Sequence, residues 1–112
     1  MAQWYNWNSA NIAVWNKTRF PNNIGDKQLA KLAGEIIEFK QARGREHKLE
    51  ELADVFIASA GLTRFGGNYG AVGGFICFLL NAQDEKGELK YAVNQKMLKN
   101  IERQFDENMH HI

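Results

Sequence analysis

The chain has 112 residues, enough for one hydrophobic core and too few for two. Its composition, 45% hydrophobic and 24% charged, is that of a water-soluble globular protein, and a net charge of +1 excludes the basic excess that marks nonspecific binding to nucleic acid or anionic membranes. Cys77 is the only cysteine, so an intrachain disulfide is excluded and a reducing, cytoplasmic setting is expected.

Met1 to Trp7 is aromatic and polar, without the basic start and apolar run of a signal peptide. A first helix is expected from near Ser9 to just before Phe20-Pro21, in a segment crowded with Trp4, Tyr5, Trp7, Trp15 and Phe20. A second is expected over Asp26 to Arg43, with Asp26 as N-cap and Leu29, Leu32, Ala33, Ile36 and Phe39 at helical spacing, closed by Gly44. The third runs from Glu46 to Arg64 behind an acidic first turn, and Ala53 to Leu62 is apolar on nearly every face, which makes it the central buried helix.

Gly66-Gly67 breaks that helix. Ala71 to Ala82 is apolar, fit for a buried helix or a subunit contact, and Cys77 within it reads as a small hydrophobe rather than a nucleophile. Its longest apolar run, Phe75 to Leu80, falls far short of the ~20 residues of a membrane span. After a turn at Asp84 to Gly87, the last helix is expected from Leu89 to Asn108 with Val93, Met97, Ile101 and Phe105 as its apolar stripe. The fold class is therefore all-α, a single-domain helical bundle built on an antiparallel hairpin of the second and third helices.

Two acidic pairs carry the chemistry. In Glu35-Ile-Ile-Glu38 and Glu51-Leu-Ala-Asp54, residues three apart point within about 60° of each other, so each pair shares a helix face. Reflecting the sequence about the short linker near Gly44-Arg45 pairs Glu38 with Glu51 and Glu35 with Asp54. Four facing acids beside the apolar run Leu52 to Ile57 are costly unless a cation pairs them, and an all-oxygen donor set favours Mg²⁺, Mn²⁺ or Ca²⁺ over zinc. The competing reading is a solvated polar face. On the last helix Lys96, Asn100 and Arg103 follow i, i+4, i+7 spacing beside the apolar stripe, a point charge, an amide and a bidentate fork suited to phosphate oxygens.

With these elements in hand, the sequence resembles the MazG-like all-α nucleoside triphosphate pyrophosphohydrolases, a superfamily that includes dimeric dUTPases and phosphoribosyl-ATP pyrophosphatase. The resemblance rests on E-x-x-E (Glu35, Glu38), E-x-x-D (Glu51, Asp54), a K-x-x-x-N-x-x-R element (Lys96, Asn100, Arg103) and the Trp15 to Pro21 lead-in, and it covers most of Trp15 to Phe105. It departs at Gly66 to Leu80, which is longer and more apolar than a simple link. The resemblance implies Mg²⁺-dependent cleavage of a nucleoside triphosphate, (d)NTP, to monophosphate and pyrophosphate, possible house-cleaning of the nucleotide pool, and Mn²⁺ as a substitute metal. It also implies Glu35, Glu38, Glu51 and Asp54 as metal ligands, Glu38 as the general base, and Lys96, Asn100 and Arg103 on the phosphate tail. Trp15 and Phe20 are candidates to stack on the base or, equally, core residues. A homodimer or homotetramer is expected from the apolar Ala71 to Leu80 segment, with no nucleic-acid or membrane partner. Two alternatives remain: a hydrolase of the same fold with a dUTPase-like or phosphoribosyl-ATP-type substrate, and a noncatalytic helical assembly module.

Overall fold

The computed structural model describes residues 6–103. Within them five α-helices follow in chain order: α1 Ser9–Arg19, α2 Gly25–Gln41, α3 Arg45–Leu62, α4 Gly67–Gln83 and α5 Glu88–Glu102. A 3-10 turn at Thr63–Phe65 follows α3, and the described residues contain no strand. The described residues are all-helical in architecture, as their periodicity requires.

Each helix has a local cause. Asn8 caps α1: its side chain accepts from the Asn11 backbone at 2.9 Å, and the Asn11 side chain accepts from the Asn8 backbone at 2.8 Å, an amide form of the capping box. The helix stops at Phe20, the residue before Pro21, where αR geometry is disfavoured. Gly66 and Gly67 both take positive φ (66° and 53°), which separates α3 from α4. The Asp84 carboxylate accepts from the backbone of Leu89 and Lys90, both at 2.9 Å, and ties the turn to the start of α5.

Helix α3 is the axis of the molecule, in contact with α1, α2, α4 and α5. From Ala53 to Leu62 only Asp54 escapes full burial. Its Ala53, Phe56, Ile57 and Ala60 form one apolar cluster with Ile12, Cys77, Leu89, Val93 and Met97, while Val55, Ala58 and Leu62 form a second with Leu32 of α2. Burial pushes the Cys77 thiol up to about 12, so it packs as a hydrophobe. Gly73 sits inside α4 without breaking it, because a Cβ there would collide with the Ser59 carbonyl and the two helices cross at that point.

Several expectations need correction. The N-cap of α2 is Ile24 and makes no side-chain cap; Asp26 lies in the first turn and accepts a hydrogen bond from the Tyr69 hydroxyl instead. The buried face of α2 is Gly25, Gln28, Leu32 and Glu35, leaving Leu29, Ala33 and Ile36 of the expected apolar stripe exposed. Two polar side chains displace them inward because both find partners there, Gln28 on the Ala58 carbonyl and Glu35 on Lys31. Gly44, with φ 83°, is the N-cap of α3 rather than the end of α2, which already stops before Ala42. Helix α4 begins earlier than expected and exposes much of its apolar surface. Helix α5 ends at Glu102, Ile101 is 53% exposed and so off the core, and Phe105 lies outside the described residues, as do His110 and His111.

Candidate metal and phosphate site

A cleft of about 310 Å³ opens between α1, α2, α3 and α5. Its walls include every residue singled out from the sequence: Glu35, Glu38, Glu51, Asp54, Lys96, Asn100, Arg103, Trp15 and Phe20. Helix α2 delivers Glu35 and Glu38 from one face, and α3, entering after only Ala42, Arg43 and Gly44, delivers Glu51 and Asp54. One carboxylate oxygen each from Glu35, Glu38 and Glu51 lies within 4.8 Å of the others. That spacing suits three ligands of one hard cation, whose oxygens stand at ~2.0–2.6 Å from the metal.

Asp54 lines the same cleft but is held differently. Its Oδ2 lies 3.3 Å from Lys96 Nζ, with side-chain exposures of 20% and 14%. Lys96 therefore neutralises an acid of the site while lining the cleft itself. Lys31 does the same for Glu35 at 3.2 Å, and His47 Nε2 lies 3.5 Å from Glu51 Oε1. The other Glu51 oxygen, Oε2, is buried and has no hydrogen-bond partner among the described residues. An orphaned carboxylate oxygen among three further acids is the feature a bound cation would satisfy, so these donors could hold a metal ion.

Electrostatics agree with the geometry. Burial pushes the Glu35 carboxyl above its ordinary 4.5, against the pull of Lys31 and with reinforcement from Asp54 and Glu38. Burial likewise raises Asp54 above 3.8, opposed by Lys96 and reinforced by Glu51. Both acids bind a proton more tightly folded than unfolded. Without metal they therefore destabilise the fold above their raised values, and that penalty fades as the pH falls through those values toward 4.5 and 3.8. Lowering the pH from 7 toward 4.5 should therefore stabilise metal-free wild type more than metal-free Glu35→Gln, which lacks one of the two acids, and a saturating divalent cation should flatten the difference between the two melting-temperature profiles. Parallel melting-temperature profiles for the two proteins would contradict this account.

The aromatic end is built as a wall. Phe20 is buried, edge-on to Trp15 with ring centroids 5.7 Å apart, and the Arg19 guanidinium lies 5.2 Å from its centroid. Trp15 packs partly against the main core. At the other end Asn100 donates to the Met97 sulfur at 3.7 Å, and Arg103 follows the last turn of α5.

The residues that sequence reasoning missed are mostly amides. Asn23 donates to Gln28 Oε1 at 2.8 Å, Asn16 donates to the same oxygen at 3.4 Å, and Gln28 Nε2 donates to the Ala58 carbonyl at 2.9 Å. Arg64 Nη1 closes the cluster on Asn16 Oδ1 at 2.8 Å and on the Phe20 carbonyl at 2.9 Å. Arg64 can only donate and the Ala58 carbonyl can only accept, so the orientation of each amide is set from both ends. A Cβ at Gly61 would come within 2.6 Å of Gln28 Nε2 and 2.8 Å of Asn16 Nδ2, which is why α3 carries glycine there. Lys31 and Gln28 were legible in principle, since Gln28, Lys31, Glu35 and Glu38 recur at 3, 4 and 3 on one face of α2. No local pattern announces Asn16 or Arg64.

Comparison with known proteins found no matching family model, curated protein or solved structure.

Proposed function

We propose that the protein is a Mg²⁺-dependent nucleotide pyrophosphohydrolase that cleaves a (d)NTP between its α and β phosphates, releasing the monophosphate and pyrophosphate. The observation that carries this reading is the convergence of Glu35, Glu38 and Glu51 within 4.8 Å in a cleft that also holds Lys96, Asn100 and Arg103. Acids alone would repel a triphosphate and cations alone would bind it without cleaving it; the two sets side by side suit a metal-bound polyphosphate. The α2–α3 unit is read as the antiparallel hairpin that supplies the acids, and the enzyme as a cytoplasmic one acting on the nucleotide pool.

Glu35, Glu38 and Glu51 would hold Mg²⁺, or Mn²⁺ in its place, and Asp54, paired with Lys96 in the same cleft, is the fourth acid available to it. When bound, the metal neutralises phosphate charge and acidifies a water for attack. Glu38, the exposed member of the trio, would accept the proton of the attacking water. Lys96 and Arg103 draw charge off the departing pyrophosphate, and Asn100 orients it. Trp15 and Phe20 close the end of the cleft where the base lies against Ile57 and Ala58.

The test is a panel of canonical and modified NTPs and dNTPs with and without Mg²⁺, resolved for monophosphate and pyrophosphate. Equal amounts of both products, formed only with the divalent ion, are expected. Release of orthophosphate instead would point to another hydrolase. No turnover, together with no Mg²⁺ binding, would leave a helical assembly module as the better description.

A further inference from the structure

Helix α4 has two apolar faces, and only one is used. Gly73 and Cys77 are buried in the bundle, with Ile76 and Leu80 packed against its clusters. The opposite face is Ala71, Val72, Phe75, Phe78, Leu79 and Ala82, all exposed, with Phe75 at 63% and Phe78 at 68%. None of the 17 residues of α4 is charged. At ~150–250 Å² per ring the two phenylalanines leave roughly 250 Å² in water, and the whole face roughly 400–500 Å².

We infer that this face is the contact between two copies of the chain, with their α4 helices crossing antiparallel about a two-fold axis near Ile76 and Cys77. Four observations favour a second copy as the occupant. An uncharged face offers nothing to a charged partner, and its own duplicate matches it in chemistry. Ala71, Phe75, Phe78 and Ala82 recur at 4, 3 and 4, the spacing of a helix-pairing seam, and reflection sets Phe75 against Phe78 and Ala71 against Ala82 with small residues flanking the two rings. The area is about half of the ~800 Å² each partner contributes to a standard interface, leaving the uncharged Asn68, Asn81 and Gln83 as its rim. The antiparallel sense brings Asp84 and Glu85 of one copy toward the start of the other's α4, where no side chain caps the helix and the dipole is positive. A membrane surface is a poorer match, because a helix that lies on lipid carries Lys and Arg on its polar face and α4 has none. No residue of α4 lines the cleft, so pairing leaves the site open.

The experiment is sedimentation equilibrium of the full chain, wild type, Phe75→Lys, Phe78→Glu and Phe78→Lys, with helical content checked by circular dichroism. Both rings are exposed, so folding should survive each change. Wild type should be a dimer, and Phe78→Glu alone should dissociate at least about a hundredfold more readily. Mixing Phe78→Glu with Phe75→Lys should restore the dimer, because position 75 faces position 78 across the axis. Restoration by Phe78→Glu with Phe78→Lys instead would overturn the antiparallel register. A wild-type monomer, a dimer indifferent to both charges, or binding of the face to phospholipid vesicles in place of dimerisation would overturn the inference itself. The readout is independent of catalysis, so a failed nucleotide assay does not decide it.

Discussion

Glu51→Gln and Glu38→Gln should each abolish Mg²⁺-dependent turnover, by about a thousandfold or more, which corresponds to ~4 kcal/mol of barrier. Glu51 is the sharper test. Its Oε2 is buried without a partner and its Oε1 is within 3.5 Å of His47, so the side chain is committed to the cleft. An amide there removes a ligand charge but keeps the shape, and its N–H can donate to neighbouring carboxylates that otherwise repel one another. The metal-free Glu51→Gln protein should therefore melt at the same or a higher temperature than wild type while losing calorimetric Mg²⁺ binding. That pairing of effects separates site chemistry from simple unfolding. Near-normal Mg²⁺-dependent pyrophosphate release by both variants would remove these glutamates from the site.

Lys96→Ala should weaken both the fold and the nucleotide, for one reason. Lys96 sits 3.3 Å from Asp54, and removing it leaves that carboxylate half-buried beside Glu51 and Glu35 with only Lys31 to draw on. Breaking a fully buried pair costs ~3–5 kcal/mol; both partners here keep some contact with water, so about 1–3 kcal/mol is expected at pH 7. The loss should shrink at lower pH, as Asp54 protonates, and on adding Mg²⁺, as the cation replaces the ammonium. Arg103→Ala, which breaks no ion pair described in the structure, should weaken nucleotide binding with far less effect on denaturant unfolding. If Lys96→Ala unfolds at the same denaturant concentration as wild type at pH 7 without metal, the Asp54 contact carries no net energy. Lys96 would then be a phosphate residue only.

Much of this protein was legible before its structure. The Gly66-Gly67 pair and Pro21 marked helix ends, the apolar stretch from Ala53 to Leu62 marked the central helix, and the acid pairs at i, i+3 marked the faces that carry Glu35, Glu38 and Glu51. Those signals are local: helix periodicity converts spacing into direction, and a linker of three residues allows little freedom in how two helices meet. Where local rules failed, a distant partner had intervened. Gln28 and Glu35 replaced Leu29 and Ile36 on the buried face of α2 because the Ala58 carbonyl and Lys31 satisfied them. Lys96 was read as a phosphate ligand and found on Asp54, 42 positions away in sequence and brought beside it only by the packing of α5 on α3. The amide cluster of Asn16, Asn23 and Gln28 with Arg64 joins three helices and a turn. Its members have no shared spacing, since a hydrogen-bond network depends on distances in space and not along the chain. Sequence alone thus determined which helices form and which faces carry charge. Tertiary structure decided which of those charges meet, and which apolar face of α4 stays in water, because both depend on how helices turn about their axes when they pack.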